Sequence, residues 1–529
     1  MRRILGNRII VLAAVFFLVF LAVCCNYYKI AVQERTSAAD FSVSEVTISA
    51  GESQGTIFDR NMLPLTNREY QLVAVAVPRA ENLDQLRSIA AEPASFEVAV
   101  RRGTPFAFRC KHRLPESESL TFFEIPLRYD SSTALHTIGY LSENSGASGI
   151  EYGYDRILRS PGGENSVTYG TDGFGNILMG EGKQVVRSGL QFTGVVTTLD
   201  SEIQRICEAQ DIKKGAVVVS DIVTGDILGM ASFPAYDRSE LGSALTDADS
   251  PLINRCLYSY SVGSVFKLVT ACEAMNEGME GFVMTCNGWA DVFGQRFACH
   301  KFDGHGQQTM TEAMVNSCNP YFIELSKCLD VEQFRGLAFD LGFGRQTHLC
   351  AGMTASAGVL PTVEELLIPA ELGNFAFGQG KLTATPLQIN QLTCAIASGG
   401  RLPLLRLIRG VTLDGQTVAN EKSARRSEVM TSETAAELRL MMTKAVYSNP
   451  GSNAAPRYVR AGAKTSTAQT GRFDQEGNEL CNGWITGFFP CNTPHYAVTV
   501  LCEDGGYGND CAAPVFRDIA DGIMTLGRG

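Results

Sequence analysis

Three short clusters in this sequence could together carry out nucleophilic acyl transfer. Ser264 and Lys267 stand at i and i+3, and Gly263 precedes an apolar run through Leu268, Val269, Ala271 and Ala274. That spacing predicts a helix starting at or near Ser264, with both side chains on one face. A serine hydroxyl at a helix N-terminus beside an amine is a nucleophile with a built-in base, provided that burial and a nearby cation lower the amine's pKa. On its own the pair is weak, because Ser-x-x-Lys occurs by chance on the order of once in a chain this long and then reads as an ordinary solvated pair. Two later clusters complete a pattern: Ser317-Cys318-Asn319, and Lys464-Thr465-Ser466-Thr467 in a strand-like context. Singly, Ser317 and Asn319 read as helix caps and Lys464 as a surface cation. Taken together in this order, they read as one site. His300 and His305 are expected to be loop residues without a catalytic part.

These clusters need elements to hold them. Gly215-Ala-Val-Val-Val-Ser220 and Asp226-Ile-Leu-Gly-Met-Ala-Ser232 flank the Thr224-Gly225 turn and read as a hairpin. Further strand signals come only near the end, at Gly483-Trp-Ile-Thr-Gly-Phe-Phe489 and Tyr496-Ala-Val-Thr-Val-Leu501. Val515, Ile519, Ile523 and Leu526 then keep helical spacing. Mostly helical pattern lies between the two strand groups, so the expected architecture is α+β, with a sheet closed by the two ends of a domain around an inserted helical block. Upstream, residues Val43 to Val77 cluster β-formers, a glycine-rich stretch from Gly162 to Gly182 interrupts that pattern, and Asp200 is placed to cap a helix carrying Ile203, Ile206 and Cys207.

A chain of 529 residues is long enough for two to four folded units. Hydrophobic residues at 45% and charged residues at 19% exclude a largely disordered polymer. With 45 Lys plus Arg against 56 Asp plus Glu the net charge is -11, and no dense basic block exists to neutralise phosphates, so nucleic acid is not an expected partner. The 16 cysteines include no C-x-x-C pair. Cys286, Cys299, His300 and His305 could be imagined as ligands, but the step from Cys286 to Cys299 lacks the short first knuckle of structural zinc sites, so no metal and no cofactor are expected.

From Ile9 to Cys25 run 17 residues without a charge or amide, roughly 26 Å as a helix. Tyr27 and Tyr28 stand where an interfacial belt would lie, and Arg2, Arg3 and Arg8 precede the run, which orients the N-terminus toward the cytoplasm. The expectation is a single-pass anchor with the remainder outside the cell; a cleaved signal peptide is the competing reading.

With these motifs the chain resembles a class B penicillin-binding protein, a monofunctional D,D-transpeptidase of peptidoglycan synthesis. Gly215-Ala-Val-Val-Val and Pro234-Ala-Tyr-Asp237 are similar to the family's opening hairpin, and Asn254-Arg255 to its approach to the nucleophile. Gly304-His-Gly306, Gly378-Gln-Gly380 and Thr385-Pro386-Leu387-Gln388 match in order, and Gly55-Thr-Ile-Phe-Asp-Arg-Asn61 and Gly149-Ile-Glu-Tyr-Gly-Tyr-Asp155 are similar to the pedestal domain. The resemblance implies a penicillin-binding transpeptidase fold: a five-stranded antiparallel sheet with helices on both faces and an inserted helical subdomain. It also implies a cytoplasmic tail over 1–8, a transmembrane anchor over 9–28, a β-rich pedestal or dimerisation domain over 29–195 and a transpeptidase domain over 196–529.

Further implications concern roles. Ser264 would attack a D-Ala-D-Ala stem peptide and release D-Ala, Lys267 would be the acylation base, Ser317 would relay a proton and Asn319 would orient Lys267. Lys464, Thr465, Ser466 and Thr467 would form the strand that binds the substrate carboxylate. The backbone N–H groups of Ser264 and Thr467 would form the oxyanion hole. Expected partners are stem peptides, β-lactams as inhibitors, the lipid bilayer and a membrane glycosyltransferase, in division, elongation or sporulation. A catalytically silent scaffold, a β-lactam sensor and an anchored serine β-lactamase remain alternatives. Three departures from the family pattern stand out: Gln54 for Arg, Met62 for Gly, and Ser466 for Gly inside the catalytic strand. By strand alternation Ser466 is expected to point away from the carboxylate pocket, and Ser466→Gly to raise acylation modestly.

Overall fold

The computed structural model describes residues 13–29, 44–129, 133–159, 163–180, 182–189, 192–421 and 423–527. Residues 13–29 form a helix with exposed side chains. Among the described residues no helix is long and apolar enough to cross a membrane. The expected tail over 1–8 and the first residues of the expected anchor lie outside the described residues.

The chain divides into two compact units. The first takes in the chain up to Glu52, Gln71–Ile125 and Glu164–Arg187. Two three-stranded sheets build it, one with Glu164–Thr171 between Ser44–Glu52 and Lys183–Val186, the other with Glu69–Ala76 between Phe106–Cys110 and Leu120–Leu127. Alternation along the central strand of the second sheet explains its burial: Val73, Val75 and Val77 pack with Phe123 and Tyr169, whereas Ala74 and Ala76 pack with Leu86, Ile89 and Phe96. The glycine-rich stretch does not break the β pattern as expected, because Val167 and Tyr169 turn inward at period two and Glu164–Thr171 pairs along the whole of Ser44–Glu52.

The second unit comprises Ser53–Tyr70, Pro126–Gly163 and the chain from Ser188 onward. Its early segments belong to it through backbone pairing: Thr56–Phe58 runs parallel to Gly194–Thr197, which pairs in turn with Ile408–Thr412. The two N-terminal motifs meet here. The buried carboxylate of Glu151 accepts from Arg128 at 2.7 Å, and Arg128 also donates to the Gly55 carbonyl. Met62, where the family pattern has glycine, sits at φ +64, a conformation that favours glycine.

Within this unit Asp200 caps α1 (Ser201–Glu208) through its side chain, as its position predicts. β1 (Gly215–Asp221) and β2 (Ile227–Phe233) form the hairpin. A helical block follows, with α2 (Lys267–Asn276), α3 (Met310–Val315), α4 (Asn319–Ser326), α5 (Pro386–Ala397) and α6 (Ser432–Tyr447). The chain then returns through β3 (Gly462–Phe473), β4 (Glu479–Phe489), β5 (Tyr496–Cys502) and α7 (Gly508–Thr525). The strands pair in the order β2-β1-β5-β4-β3, every pair antiparallel.

Helices cover both faces. Val217 and Val219 pack with Ile203 of α1 and with Phe516, Ile519 and Ile523 of α7, while Ala216 and Val218 share the other core with Leu387 and Leu392 of α5. Asn390 of α5 donates to the carbonyls of Val218 and Ala497, so its buried amide is partnered on two strands of the sheet. The turn that carries Ser264 is anchored apolarly: the Phe266 ring lies 4.7 Å from Phe375 and 5.2 Å from Phe343, centroid to centroid. Burial of such a side chain stabilises by about 3 kcal/mol, which anchors the turn on the C-terminal side of Ser264.

Candidate active site

Ser264 lies in a single 3-10 turn, Gly263–Phe266, which runs directly into α2 at Lys267. The predicted helix start is therefore right in place, with a tighter first turn. Lys267 is 0% exposed. Its Nζ donates to the Ser317 carbonyl at 2.7 Å and to Asn319 Oδ1 at 2.6 Å, with Ser317 Oγ at 3.4 Å. A neutral amine has two N–H bonds and one lone pair, so those two oxygens take both hydrogens and leave the lone pair to accept a proton. Burial, then repulsion from Lys464, holds the Lys267 pKa well below the ordinary lysine value.

Ser317 and Asn319 reach this amine through a helix end. α3 opens with a capping box between Thr309 and Glu312 and closes with Cys318 N–H bonded to the Ala313 carbonyl and Ser317 N–H to Met314. This is a Schellman pattern, and its left-handed position is Ser317 at φ +51, normally a glycine's place. The reversal turns the Ser317 carbonyl and hydroxyl toward the lysines, and Asn319 starts α4 immediately afterwards.

The third cluster lies on β3 at the sheet edge. Lys464 is 2% exposed, and its Nζ donates to Ser317 Oγ at 3.1 Å and to the Thr465 carbonyl at 2.8 Å. Burial lowers its pKa to about 7. Thr465 and Thr467 are half-buried on one face of the strand, while Lys464, Ser466 and Ala468 are buried on the other. Thr467 Oγ1 accepts from the N–H of Gly508, the first residue of α7. Ser317 Oγ thus stands between two lysines whose pKa values are both lowered, Lys267 well below the ordinary value and Lys464 to about 7. Such an arrangement can activate a hydroxyl, pass its proton along a short relay and hold an anionic substrate group.

A family model described as penicillin binding protein transpeptidase domain matches residues 215–521, more than half of the chain. The chain belongs to the penicillin-binding protein transpeptidase family. Among its relatives, stage V sporulation protein D of Bacillus subtilis (strain 168) is 30% identical over 419 residues, covering 74% of this chain and 62% of that protein. Peptidoglycan D,D-transpeptidase MrdA of Acinetobacter baumannii is 26% identical over 406 residues, covering 70% and 60%. These alignments span less than two thirds of either relative. The solved structure of penicillin-binding protein A from M. tuberculosis, a ceftriaxone acyl-enzyme complex, superposes with a TM-score of 0.66 at 20% identity, covering 90% of this chain and 99% of that one, a likeness of fold.

Two residues outside the three motifs also hold the turn that carries Ser264, a part that the sequence did not assign to either. Trp484 is fully buried and donates from Nε1 to the Ser261 carbonyl at 3.0 Å. Gly378 accepts from Gly263 N–H at 2.7 Å, and at φ +79 a Cβ there would meet the Gly263 carbonyl oxygen at 2.1 Å. In the sequence Trp484 was legible as part of a strand and Gly378 as part of a family match, but not their bonds to the turn.

Cys286, Cys299, His305 and Cys318 converge beside the site, with one ligand atom from each within 4.8 Å of all the others. Three of the four candidate ligands singled out by type are here; His300 is not in the group, and Cys318 of the Ser-x-Asn cluster takes the fourth place. Gly304 at φ +78 and Gly306 at φ +72 flank His305, and Cys286 pairs with Gly306 across two short strands. In a tetrahedral zinc site with Zn–S bonds of about 2.3 Å, sulfurs lie about 3.8 Å apart, so a Cys3His set of this size fits that ion. The expectation of no metal rested on spacing along the chain, which such a long-range set does not respect.

Proposed function

We propose that this chain is a peptidoglycan D,D-transpeptidase. Ser264 attacks the carbonyl of the penultimate D-Ala of a stem peptide, D-Ala leaves, and an amine of a neighbouring strand takes the acyl group from the ester. The C–O ester bond forms as the C–N bond breaks, and in the second step an amide replaces the ester, so no nucleotide is consumed. Lys267 accepts the Ser264 proton, Ser317 passes a proton to the departing amine, and Asn319 holds the Lys267 amine in place. Lys464, Thr465 and Thr467 bind the substrate carboxylate, with Ser466 in the same strand. The N–H groups of Ser264 and Thr467 stabilise the oxyanion, a contribution of roughly 3 to 4 kcal/mol per donor.

The single observation that carries this reading is the Lys267 amine, buried, with its two hydrogens on Ser317 and Asn319 and repelled by Lys464. β-Lactams are the expected covalent inhibitors. A single-pass anchor over 9–28 with the catalytic unit outside the membrane, a pedestal role within 29–195 and a membrane glycosyltransferase partner complete the proposal. The test is release of D-Ala from a pentapeptide substrate together with incorporation of a labelled acceptor amine by the full chain in detergent. Release of D-Ala without transfer points to a carboxypeptidase, rapid turnover of a fluorescent penicillin to a β-lactamase, and absence of every reaction to a silent scaffold.

The Cys3His group supports a structural zinc as part of this site. Bound there, zinc would supply a cross-link between the loop around Cys299, the Gly-His-Gly turn and the start of α4, and so secure the backbone on both sides of Cys318. Anaerobically purified protein is expected to contain about one zinc per chain by mass spectrometry of metals, and a chelator is expected to lower the melting temperature by several degrees. Cys299→Ser is expected to purify with little zinc; full zinc content in that variant would remove Cys299 from the ligand set.

A further inference from the structure

Ser466 has a partner that its place in the sequence does not reveal. It is 3% exposed, and its Oγ donates to the Val262 carbonyl at 2.8 Å. The same peptide unit is tied at its other end, because the Gly263 N–H donates to the Gly378 carbonyl at 2.7 Å. One strand over, Trp484 stands opposite Ser466 in register and donates to the preceding carbonyl, that of Ser261. Two consecutive carbonyls leading into the nucleophile are therefore held by paired residues of β3 and β4. Gly263 follows at φ +63, and a Cβ on it would lie 2.5 Å from Ser466 Oγ and 3.1 Å from the Thr467 carbonyl. A glycine in that conformation has low barriers to alternative peptide orientations, so whatever tethers its flanking carbonyl sets the direction of the next N–H and side chain, those of Ser264.

We infer that Ser466 is a positioning residue: its hydroxyl clamps the Val262–Gly263 peptide and thereby aims the Ser264 hydroxyl and N–H at the substrate carbonyl. This rests on Ser264 being the nucleophile, as proposed above. A glycine at this strand position cannot make the bond, so this chain adds a tether that the family's usual residue lacks. Ser466 lies opposite Thr465 and Thr467 as strand alternation predicts, but it shares the face of Lys464 and meets the turn before Ser264 rather than a helical layer behind the sheet, and the consequence for substitution is the reverse of the sequence expectation: Ser466→Gly removes a buried donor and slows acylation.

The experiment measures non-covalent affinity and acylation rate constant separately for a fluorescent penicillin, together with hydrogen exchange over residues 259–268. In Ser466→Ala and Ser466→Gly the acylation constant is expected to fall about tenfold with affinity changed less than about twofold, and exchange of the segment to rise about tenfold. Ser466→Thr, which keeps the hydroxyl, is expected to recover most of the rate. Wild-type rate and exchange in both Ala and Gly variants overturn the inference, as does a lowered melting temperature with neither quantity changed. If the wild type takes no label, the nucleophile reading fails, and the exchange data alone then decide whether the clamp exists.

Discussion

Ser264→Ala protein incubated with benzylpenicillin is expected to show no covalent adduct by intact mass spectrometry, while the wild type gains one adduct on the peptide containing Ser264. The expected loss in acylation is at least about ten-thousandfold, since in the proposed mechanism the ester forms on the Ser264 hydroxyl. Stability should hardly change. Ser264 is half-buried, and alanine keeps the backbone of the turn, whose anchoring comes from Phe266 and from the bonds to Ser261, Val262 and Gly263. An adduct of equal yield in Ser264→Ala would place the nucleophile elsewhere and remove the basis of the proposed mechanism.

Lys267→Arg is expected to acylate about a thousandfold more slowly than the wild type, because a guanidinium cannot give up its proton at any working pH. Wild-type acylation should follow a bell-shaped pH profile whose sign comes from the two lysines. Lys267 is depressed by burial and by Lys464, with Cys318 and Cys299 opposing in part, so the rate rises with pH as its amine becomes neutral. Lys464 is lowered to about 7 by burial, so its charge, and with it the attraction for a carboxylate, is lost as pH rises through that value. The rising limb should be absent from Lys267→Arg. Because arginine is bulkier in a fully buried place, Lys267→Ala is the companion variant, and small added amines should restore part of its rate. Wild-type rates in a folded arginine variant would refute the base role.

Zinc, if bound as proposed, affects both results through Cys318. That residue sits between Ser317 and Asn319, the two groups that hold the Lys267 amine. Loss of a metal cross-link would therefore be felt at the base rather than at the nucleophile.

Local chemistry is what the sequence by itself determined. The hairpin of β1 and β2, the cap at Asp200, the helix leading from Ser264, the inward periodicity of Val515, Ile519 and Ile523, and the closing strands were all legible, because each depends on neighbours a few residues away. The three site motifs were legible for the same reason, since each is a short run on one turn or one strand. The division into compact units was a different matter: Thr56–Phe58 joins the second unit by pairing with a strand that lies far along the chain, and no local signal records such a pairing. Tertiary structure alone decided that Ser317 takes a left-handed conformation at a helix end and so faces two lysines. It alone gave Ser466 a carbonyl to bind and brought Cys286, Cys299, His305 and Cys318 together. Residue type and spacing set what each side chain can do; which partner it meets is fixed by packing between segments whose separation along the chain carries no information about their distance in space.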